Sequence, residues 1–157
     1  DTMITKEQVI KAQNQWAKTI IKLSSIKENN ACKKLTIEFL NELYYFEIGP
    51  VLFKPTMAKF QQFRNTKEMA LSYFIGGEDS VCEEDEGFVK KTIWMDIKFE
   101  NNNLILENTR AIAMGNYYFQ DNNGNIIKVE YTFGYQLVND KLKIDLHHSS
   151  LPYSSDS

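Results

Sequence analysis

The sequence has few of the residues that usually hold a catalytic metal ion. Its 157 residues include two histidines, His147 and His148, and two cysteines, Cys32 and Cys82. Catalytic zinc is typically bound by three histidines or by two cysteines and one histidine. Two histidines exclude the first set within one chain, and the second would need both distant cysteines to meet one histidine. We therefore expect no zinc site, while manganese or magnesium held by carboxylates stays open because acidic residues are numerous.

Long hydrophobic runs, a CxxC pair and an excess of positive charge are also missing. No apolar segment approaches the roughly 20 residues that cross a bilayer, so we expect a soluble domain without a membrane partner. The two separated cysteines indicate buried thiols rather than a redox motif. A net charge of −3 argues against a nucleic-acid partner. The compartment is left open, and plastid or periplasm would fit removal of a targeting peptide ahead of Asp1.

The first half of the chain has the pattern of helices in a single domain. A length of 157 residues suits one domain over 1–157, with a core from about 5 to 153. A Thr-x-x-Gln capping box at Thr5, followed by apolar residues at helical spacing, predicts a helix from about Lys6 to Ser25. A second helix is predicted from about Ala31 to Tyr45, and a third, shorter one ends near Phe74.

Alternating apolar and polar residues indicate that the second half of the chain is a β-sheet. Turn residues separate four predicted strands, which are Ile93–Glu100, Leu104–Gln120, Ile126–Val138 and Lys141–Leu151. Gly115 and Gly134 fall inside long strands, where glycine often marks a bulge or a bend. Helices followed by an antiparallel, strongly bent sheet predict an α+β fold, a cone-shaped barrel with an internal pocket.

Six acidic residues crowd the segment from Glu78 to Glu86, between the helices and the sheet. Such a segment is too polar for a core, so it predicts a solvated loop. A lid over the internal pocket is the alternative interpretation.

The last predicted strand carries both histidines beside two serines, in the order His147, His148, Ser149, Ser150. Side chains alternate between the two faces of a strand, and the apolar residues at even positions define its inner face. The same alternation places His148 and Ser150 on that inner face. A bulge near the strand end would reverse the choice to His147 and Ser149, since a shift of one residue swaps the faces.

Five segments occur along the chain in a fixed order, which is FKPTMAKFQQFR, SYFIGG, AIAMGNYYF, VEYTFGY and LHHSSLP. Together with the helices-then-sheet pattern they resemble the nuclear-transport-factor-2-like cone-barrel superfamily, including the association domain of calmodulin-dependent kinase. Within that superfamily the chain more closely resembles the iota-class carbonic anhydrases, over about Trp16 to Pro152. The resemblance implies reversible hydration of CO2 to bicarbonate, activity that needs no metal in at least some members, and a homodimer.

The resemblance also implies a site made of a threonine after a Lys-Pro turn, a tyrosine in the SYF segment and a His/Ser pair of the HHSS segment. Here these are Thr56, Tyr73 and, by strand parity, His148 with Ser150. Thr56, Tyr73 and Ser150 are then the substrate-binding residues. In the resulting hypothesis Tyr73 and Ser150 hydrogen-bond a water molecule, and His148 orients them or accepts the proton. Thr56 receives the oxygen that gains charge. The apolar residues expected to give CO2 a dry site are Phe60, Phe63, Phe74 and Trp94.

Two other functions remain open at this point. The kinase association domain resemblance permits a non-catalytic cone-barrel module for binding or oligomerisation. A cone-barrel isomerase or dehydratase is a third candidate, but that chemistry commonly needs a carboxylate in the pocket as a base. The acids of this sequence fall mainly in predicted loops and on outward faces, which argues mildly against it.

Overall fold

The computed structural model describes residues 2–78 and 80–155, which form helices packed against one five-stranded sheet. In chain order the elements are α1 (Lys6–Ser24), α2 (Asn29–Leu43), β1 (Leu52–Lys54), α3 (Lys67–Ile75), α4 (Phe88–Lys91), β2 (Trp94–Leu106), β3 (Arg110–Asp121), β4 (Ile126–Val138) and β5 (Lys141–Ser150). The α+β class predicted from the sequence is confirmed.

The sheet is mixed and open rather than wholly antiparallel. Its strand order is β1-β5-β4-β3-β2, in which β1 runs parallel to β5 and all other neighbours are antiparallel. The short strand β1 was not predicted, because three residues ahead of Pro55 give too little alternation to be recognised. No helix within 2–78 or 80–155 is long and apolar enough to cross a membrane.

Local sequence signals explain how the long helices begin. The predicted capping box is present, with the hydroxyl of Thr5 accepting from the backbone N–H of Gln8 and the Gln8 side chain accepting from the backbone N–H of Thr5. Helix α2 starts two residues earlier than predicted because the carboxylate of Glu28 caps its first turn. The apolar faces of both helices pack onto the inner face of the sheet and form one core with it.

The predicted turn at 101–103 is wrong, because β2 continues through it to Leu106. A register shift between Asn101 and Asn103 makes a bulge, and the turn lies at 107–109 instead. The polar asparagines suggested a turn, but Asn101 is held inside the sheet by paired hydrogen bonds with Gln13 of α1. The bulge passes closely over Gly115, where a Cβ atom would lie 2.1 Å from the carbonyl oxygen of Glu100.

A second bulge, in β5, reverses the inward and outward faces ahead of the two histidines. Gly134 of β4 pairs with Leu146, but its neighbour Tyr135 pairs with Ile144, which leaves Asp145 as an extra residue. Gly134 provides the space, since a Cβ there would lie 2.8 Å from the Cβ of Leu146. Asp145 turns outward and forms a 2.5 Å ion pair with Arg110. The suspicion that Gly115 and Gly134 accompany strand irregularities is therefore confirmed.

The acidic segment 78–86 is not simply a solvated loop. Its described part contains a fully buried Cys82 and a carboxylate, Asp85, whose side chain is buried. Asp85 accepts two hydrogen bonds from the buried guanidinium of Arg64, at 2.7 and 2.8 Å. A guanidinium cannot be buried without a partner, so the segment supplies a counter-charge to the core. Asp79, in the same predicted loop, lies outside the described residues.

The close passage over Gly115 generates a stability prediction. Gly115→Ala forces the β2 bulge to move, so the free energy of unfolding should fall by about 2–3 kcal/mol. The matched control is Asn102→Ala, an exposed substitution in the same bulge that should change it by less than about 0.5 kcal/mol. Denaturant unfolding of both variants measures the difference, and equal stabilities would contradict this account of the bulge.

Candidate active site

A small cavity lies between the helices and the inner face of the sheet. Its volume is about 10 Å³, room for roughly one water molecule. Five side chains with hydroxyl or imidazole groups line it, namely Thr56, Tyr73, Tyr117, His147 and Ser149. The other lining residues are mostly apolar, namely Trp16, Phe53, Pro55, Phe74, Phe88 and Phe119. Polar groups therefore converge on a site whose other walls are apolar.

The structure brings together only part of the predicted site. Thr56 and Tyr73 line the cavity as expected. The first choice of His148 and Ser150 is wrong as to position, because the β5 bulge turns His148 outward into solvent and Ser150 toward Glu130 on the outer face. The alternative pair lies inside instead, with His147 3% and Ser149 1% exposed.

Two of the four predicted apolar residues are also misplaced. Phe60 and Phe63 are 78% and 61% exposed and do not line the cavity. Phe74 does line it, and Trp94 lines a second small cavity that shares Thr56, among other residues, with the first.

Sequence reasoning missed Tyr117 and Tyr44, two tyrosines that contact His147. Tyr117 lies on the inner face of β3 with Phe119, as the alternation along that strand indicates. That alternation was the available signal for Tyr117. Tyr44 had been placed at the end of the second helix, and no local pattern indicates that it reaches the last strand.

His147 lies in a cage of aromatic rings. The imidazole stacks on Phe53 with ring centroids 4.8 Å apart and meets Phe133 edge-on at 4.2 Å. Burial lowers the pKa of His147 well below its usual value, because the charged form would lose its hydration, and the nearby His148 adds to the shift. The imidazole is therefore neutral at physiological pH.

The inner end of the cavity is a triangle of hydrogen-bonding groups. Nε2 of His147 lies 3.0 Å from the hydroxyl oxygen of Ser149 and 3.1 Å from that of Tyr117. The hydroxyls of Tyr117 and Ser149 also contact each other. From the side, Lys54 Nζ donates to the backbone carbonyl of Ser149 at 3.1 Å and helps to fix the strand end.

The outer end of the cavity is formed by Thr56 and Tyr73. The hydroxyl of Thr56 lies near those of both Tyr73 and Tyr117 and lowers the pKa of each phenol, against the larger effect of burial. The backbone N–H of Met57 donates to the hydroxyl of Tyr73 at 3.4 Å. Burial raises the pKa of both Tyr73 and Tyr117 above the usual value, so both phenols keep their protons. The ionisable groups that line the cavity are thus all neutral.

The acidic segment holds the loop that carries Thr56. The carboxylate of Glu84 accepts from three consecutive backbone N–H groups of that loop, those of Lys59, Phe60 and Gln61, at 2.7, 3.0 and 2.7 Å. Asp85 accepts from the hydroxyl of Ser72, next to Tyr73, at 2.5 Å. The two carboxylates therefore tie the Thr56 loop to helix α3, which carries Tyr73.

Metal-binding side chains do not gather at this site. Within the described ranges, no three His, Cys, Asp or Glu side chains group in a way that could hold a metal ion. Cys32 and Cys82 are buried free thiols, and neither lines the cavity.

Comparison with known proteins identifies the family. The chain matches the metal-independent carbonic anhydrase family over residues 7–151. The chain belongs to that family. A metal-independent carbonic anhydrase from Nostoc sp. is 35% identical across 96% of this chain and 75% of its own length. The crystal structure of a cyanobacterial iota-carbonic anhydrase complexed with bicarbonate has a TM-score of 0.91 and 33% identity, covering 97% of this chain and 94% of that one.

More distant structures share the fold alone. A protein from Xanthomonas campestris assigned to the calcium/calmodulin-dependent protein kinase II association domains has a TM-score of 0.61 and 21% identity, covering 92% of this chain and 85% of that one. An NTF-2-like protein from Shewanella oneidensis has a TM-score of 0.53 and 16% identity, covering 90% of this chain and 98% of that one. The predicted relation to both groups is confirmed at the level of fold.

The family decides between the functions that the sequence left open. This carbonic anhydrase of the iota class catalyses the reversible hydration of CO2 to bicarbonate, and its family is metal-independent, so it needs no cofactor. The non-catalytic module is not the function. A cone-barrel isomerase or dehydratase is disfavoured as well, since among the described residues no carboxylate lines the cavity.

The buried imidazole generates a prediction for stability against pH. Unfolded His147 binds a proton below about pH 6.5, but the folded protein does not, because its pKa is well below that value. Between about pH 6.5 and 5 the unfolded state therefore binds more protons, and the free energy of unfolding should fall by about 1.4 kcal/mol per pH unit on acidification. Denaturant unfolding measured across this range in the wild type tests it.

Replacing each histidine in turn provides the control. His147→Phe should abolish this slope, and His148→Gln, which alters the exposed neighbour, should retain it. A wild-type protein whose stability is flat from pH 6.5 to 5 would contradict the assignment of a neutral buried imidazole.

Proposed function

We propose that CO2 hydration takes place in the cavity lined by Thr56, Tyr73, Tyr117, His147 and Ser149, inside a cone formed by the bent sheet and the helices. The observation that carries the proposal is the convergence of these polar groups on an otherwise apolar space of about 10 Å³. The bicarbonate complex of the similar iota-carbonic anhydrase supports bicarbonate as the product at this site.

The proposed chemistry uses neutral groups throughout. With the imidazole unprotonated and the phenols protonated, the described residues that line the cavity supply neither a cation nor a phenolate to generate hydroxide at neutral pH. Hydroxyl groups, however, both donate and accept hydrogen bonds, so they can take one proton while giving up another. Ser149 and Tyr117, in contact with each other, are placed for this exchange.

In the proposed step, the oxygen of a water molecule attacks the carbon of CO2 and forms the new C–O bond. One C=O electron pair moves onto its oxygen, which accepts hydrogen bonds from the hydroxyls of Thr56 and Tyr73. The water gives a proton to the hydroxyl of Ser149, and the hydroxyl network returns a proton to the oxygen that gained charge. The product is carbonic acid, which loses a proton to solvent and becomes bicarbonate.

An apolar space beside this network suits CO2. A second cavity of about 10 Å³ shares Thr56, Phe88 and Phe119 with the first. Its other lining residues are apolar side chains, namely Met57, Trp94, Ile127, Val129 and Leu151. CO2 carries no charge and gains little from polar partners, so the apolar walls of this space suit it. A volume of about 10 Å³ is that of roughly one water molecule, so these walls must move apart for CO2 to enter beside the water.

The adjacent serines provide a matched test of the site. Ser149→Ala removes a hydroxyl of the network and should lower kcat for CO2 hydration by about 10²–10³-fold. Ser150→Ala removes a hydroxyl on the outer face and should leave kcat within about twofold. Stopped-flow hydration assays after treatment with a metal chelator measure both, and the wild type should keep its full activity in the chelator.

The outcome that contradicts the proposal is equally clear. Full activity in Ser149→Ala, or equal losses in Ser149→Ala and Ser150→Ala, would remove the cavity from the reaction. Wild-type activity that disappears with chelator and returns with one metal ion would overturn the metal-free chemistry.

We also propose a homodimer formed through the outer face of the sheet. Neighbouring strands expose Ile105 and Met114 there, at 59% and 56%, and the half-buried Ile112 and Leu146 adjoin them. Apolar side chains clustered on one face gain free energy when a second copy covers them. The two-fold packing of this face against itself is the proposed interface.

A charge introduced into this face tests the dimer. Met114→Asp should convert a wild-type dimer to a monomer in sedimentation equilibrium, because an unpaired carboxylate would be buried in the interface. Ile48→Asp, at an exposed apolar residue outside the sheet, should remain dimeric. A wild-type protein that is monomeric throughout the micromolar range would refute the proposal.

A further inference from the structure

A chain of three buried side chains leads from helix α1 to the imidazole of the cavity. Nε1–H of Trp16 donates to the hydroxyl oxygen of Tyr44 at 3.1 Å, and the same hydroxyl lies 2.8 Å from Nδ1 of His147. All three residues are at most 3% exposed. Tyr44 is not among the residues that line the cavity, so it acts on a molecule there through lining residues that it contacts, and His147 is the one among them that its hydroxyl faces through Nδ1.

Counting donors fixes the direction of these hydrogen bonds. An indole N–H can only donate, so the oxygen of Tyr44 accepts from Trp16. The hydroxyl hydrogen of Tyr44 then needs an acceptor, and within the described residues its other hydrogen-bond partner is Nδ1 of His147. A buried hydroxyl left without an acceptor would lose the free energy of a hydrogen bond. Nδ1 therefore accepts, and the proton of the neutral imidazole is on Nε2.

We propose that Tyr44 is a positioning residue that holds His147 in its Nε2–H tautomer, with Trp16 orienting the hydroxyl of Tyr44. The imidazole then acts as a hydrogen-bond donor to the hydroxyls of the cavity and not as a base.

The backbone around Tyr44 supports this role. Tyr44 is the C-cap of helix α2 and pairs in parallel with Ile144 of β5, three residues before His147. The backbone N–H of the next residue, Tyr45, donates to the carbonyl of Ile144 at 2.9 Å. The phenol and the imidazole are therefore held on backbones that are bonded to each other, which fixes their separation.

The tautomer matters to the hydroxyl network at the inner end of the cavity. Nε2–H, the Ser149 hydroxyl and the Tyr117 hydroxyl supply three hydrogens to a triangle of contacts. With Nε2–H donating to one of the oxygens and one hydroxyl donating to the other, a hydroxyl hydrogen is left for a molecule in the cavity. In the Nδ1–H tautomer, Nε2 would instead accept a hydrogen bond from that hydroxyl, and no hydroxyl hydrogen would be left for the molecule in the cavity. This inference rests on the proposed function of the cavity.

The nitrogen-15 NMR spectrum of the two imidazoles tests the tautomer directly. The chain has two histidines, so a His148→Gln background leaves His147 as the single imidazole of labelled protein. In this background, the protein that retains Tyr44 should show a protonated Nε2 and an unprotonated Nδ1 of His147. Tyr44→Phe should shift the imidazole toward the Nδ1–H form, and kcat for CO2 hydration should fall about 10–100-fold with little change in KM.

Tyr135→Phe is the matched control. Tyr135 is another tyrosine of the core, 1% exposed, whose hydroxyl has no hydrogen-bond partner in the described structure. Its replacement removes the same atom and should alter neither the tautomer nor kcat. Trp16→Phe, a second variant, should shift the tautomer in the same direction as Tyr44→Phe but to a smaller extent.

The results separate this proposal from the proposed function. A Tyr44→Phe protein that keeps the Nε2–H form overturns the role of Tyr44, and so does one that changes tautomer with an unaltered kcat. Should Tyr44→Phe fail to fold, retention of the wild-type tautomer in Trp16→Phe overturns it. Full activity in Ser149→Ala would instead refute the cavity as the reaction site, whatever the tautomer.

Discussion

The burial of an uncharged imidazole among aromatic rings is the constraint on which this site depends. The ring of His147 is enclosed by Phe53, Phe133 and Trp16, and bulk water does not reach it. A charged group in such a place would cost several kcal/mol, so the imidazole stays neutral and needs a hydrogen-bond partner on each nitrogen. Tyr44 meets one nitrogen, and Ser149 and Tyr117 meet the other.

The charged groups of the protein stabilise this neutral site from outside. The Arg110–Asp145 pair sits at the β5 bulge on the outer face, and the bulge turns His147 and Ser149 inward. On another side, Glu84 and Asp85 hold the loop that brings Thr56 to Tyr73. Each of these carboxylates accepts hydrogen bonds from protein groups or forms an ion pair with one. Fixed charges therefore shape the cavity, and neutral groups line it.

Sequence reasoning found the parts of the structure that local patterns determine. The capping box at Thr5 starts α1 as predicted, since it depends only on residues three apart. The resemblance to the iota class led to Thr56 and Tyr73, which the fold brings to one cavity. Parity along β5 failed because its bulge lies opposite Gly134 of a different strand, so the sequence of β5 alone does not show where the faces reverse. Tyr44 was missed for a similar reason, since its partners lie 28 and 103 residues away.

The acidic segment 78–86 shows that a local pattern of charges also fails to predict contacts with distant residues. Six acidic residues within a segment of nine suggest that the segment is exposed to solvent. Nothing local in the sequence reveals that Arg64 is buried and needs Asp85 as its counter-charge. The outcome of a charge pattern depends on which charges meet in the fold, so composition describes exposed segments better than it describes counter-ions of the core.

The central claim is that hydration proceeds with every ionisable group of the cavity neutral, and the pH dependence of kcat/KM for CO2 tests it most directly. This quantity reports the ionisation of groups in the free enzyme, and CO2 itself does not titrate. Measured by stopped-flow on chelator-treated protein, kcat/KM should be constant from about pH 6.5 to 8.5. A rise through this range with an apparent pKa near 7, as a metal-bound water would give, would contradict the account.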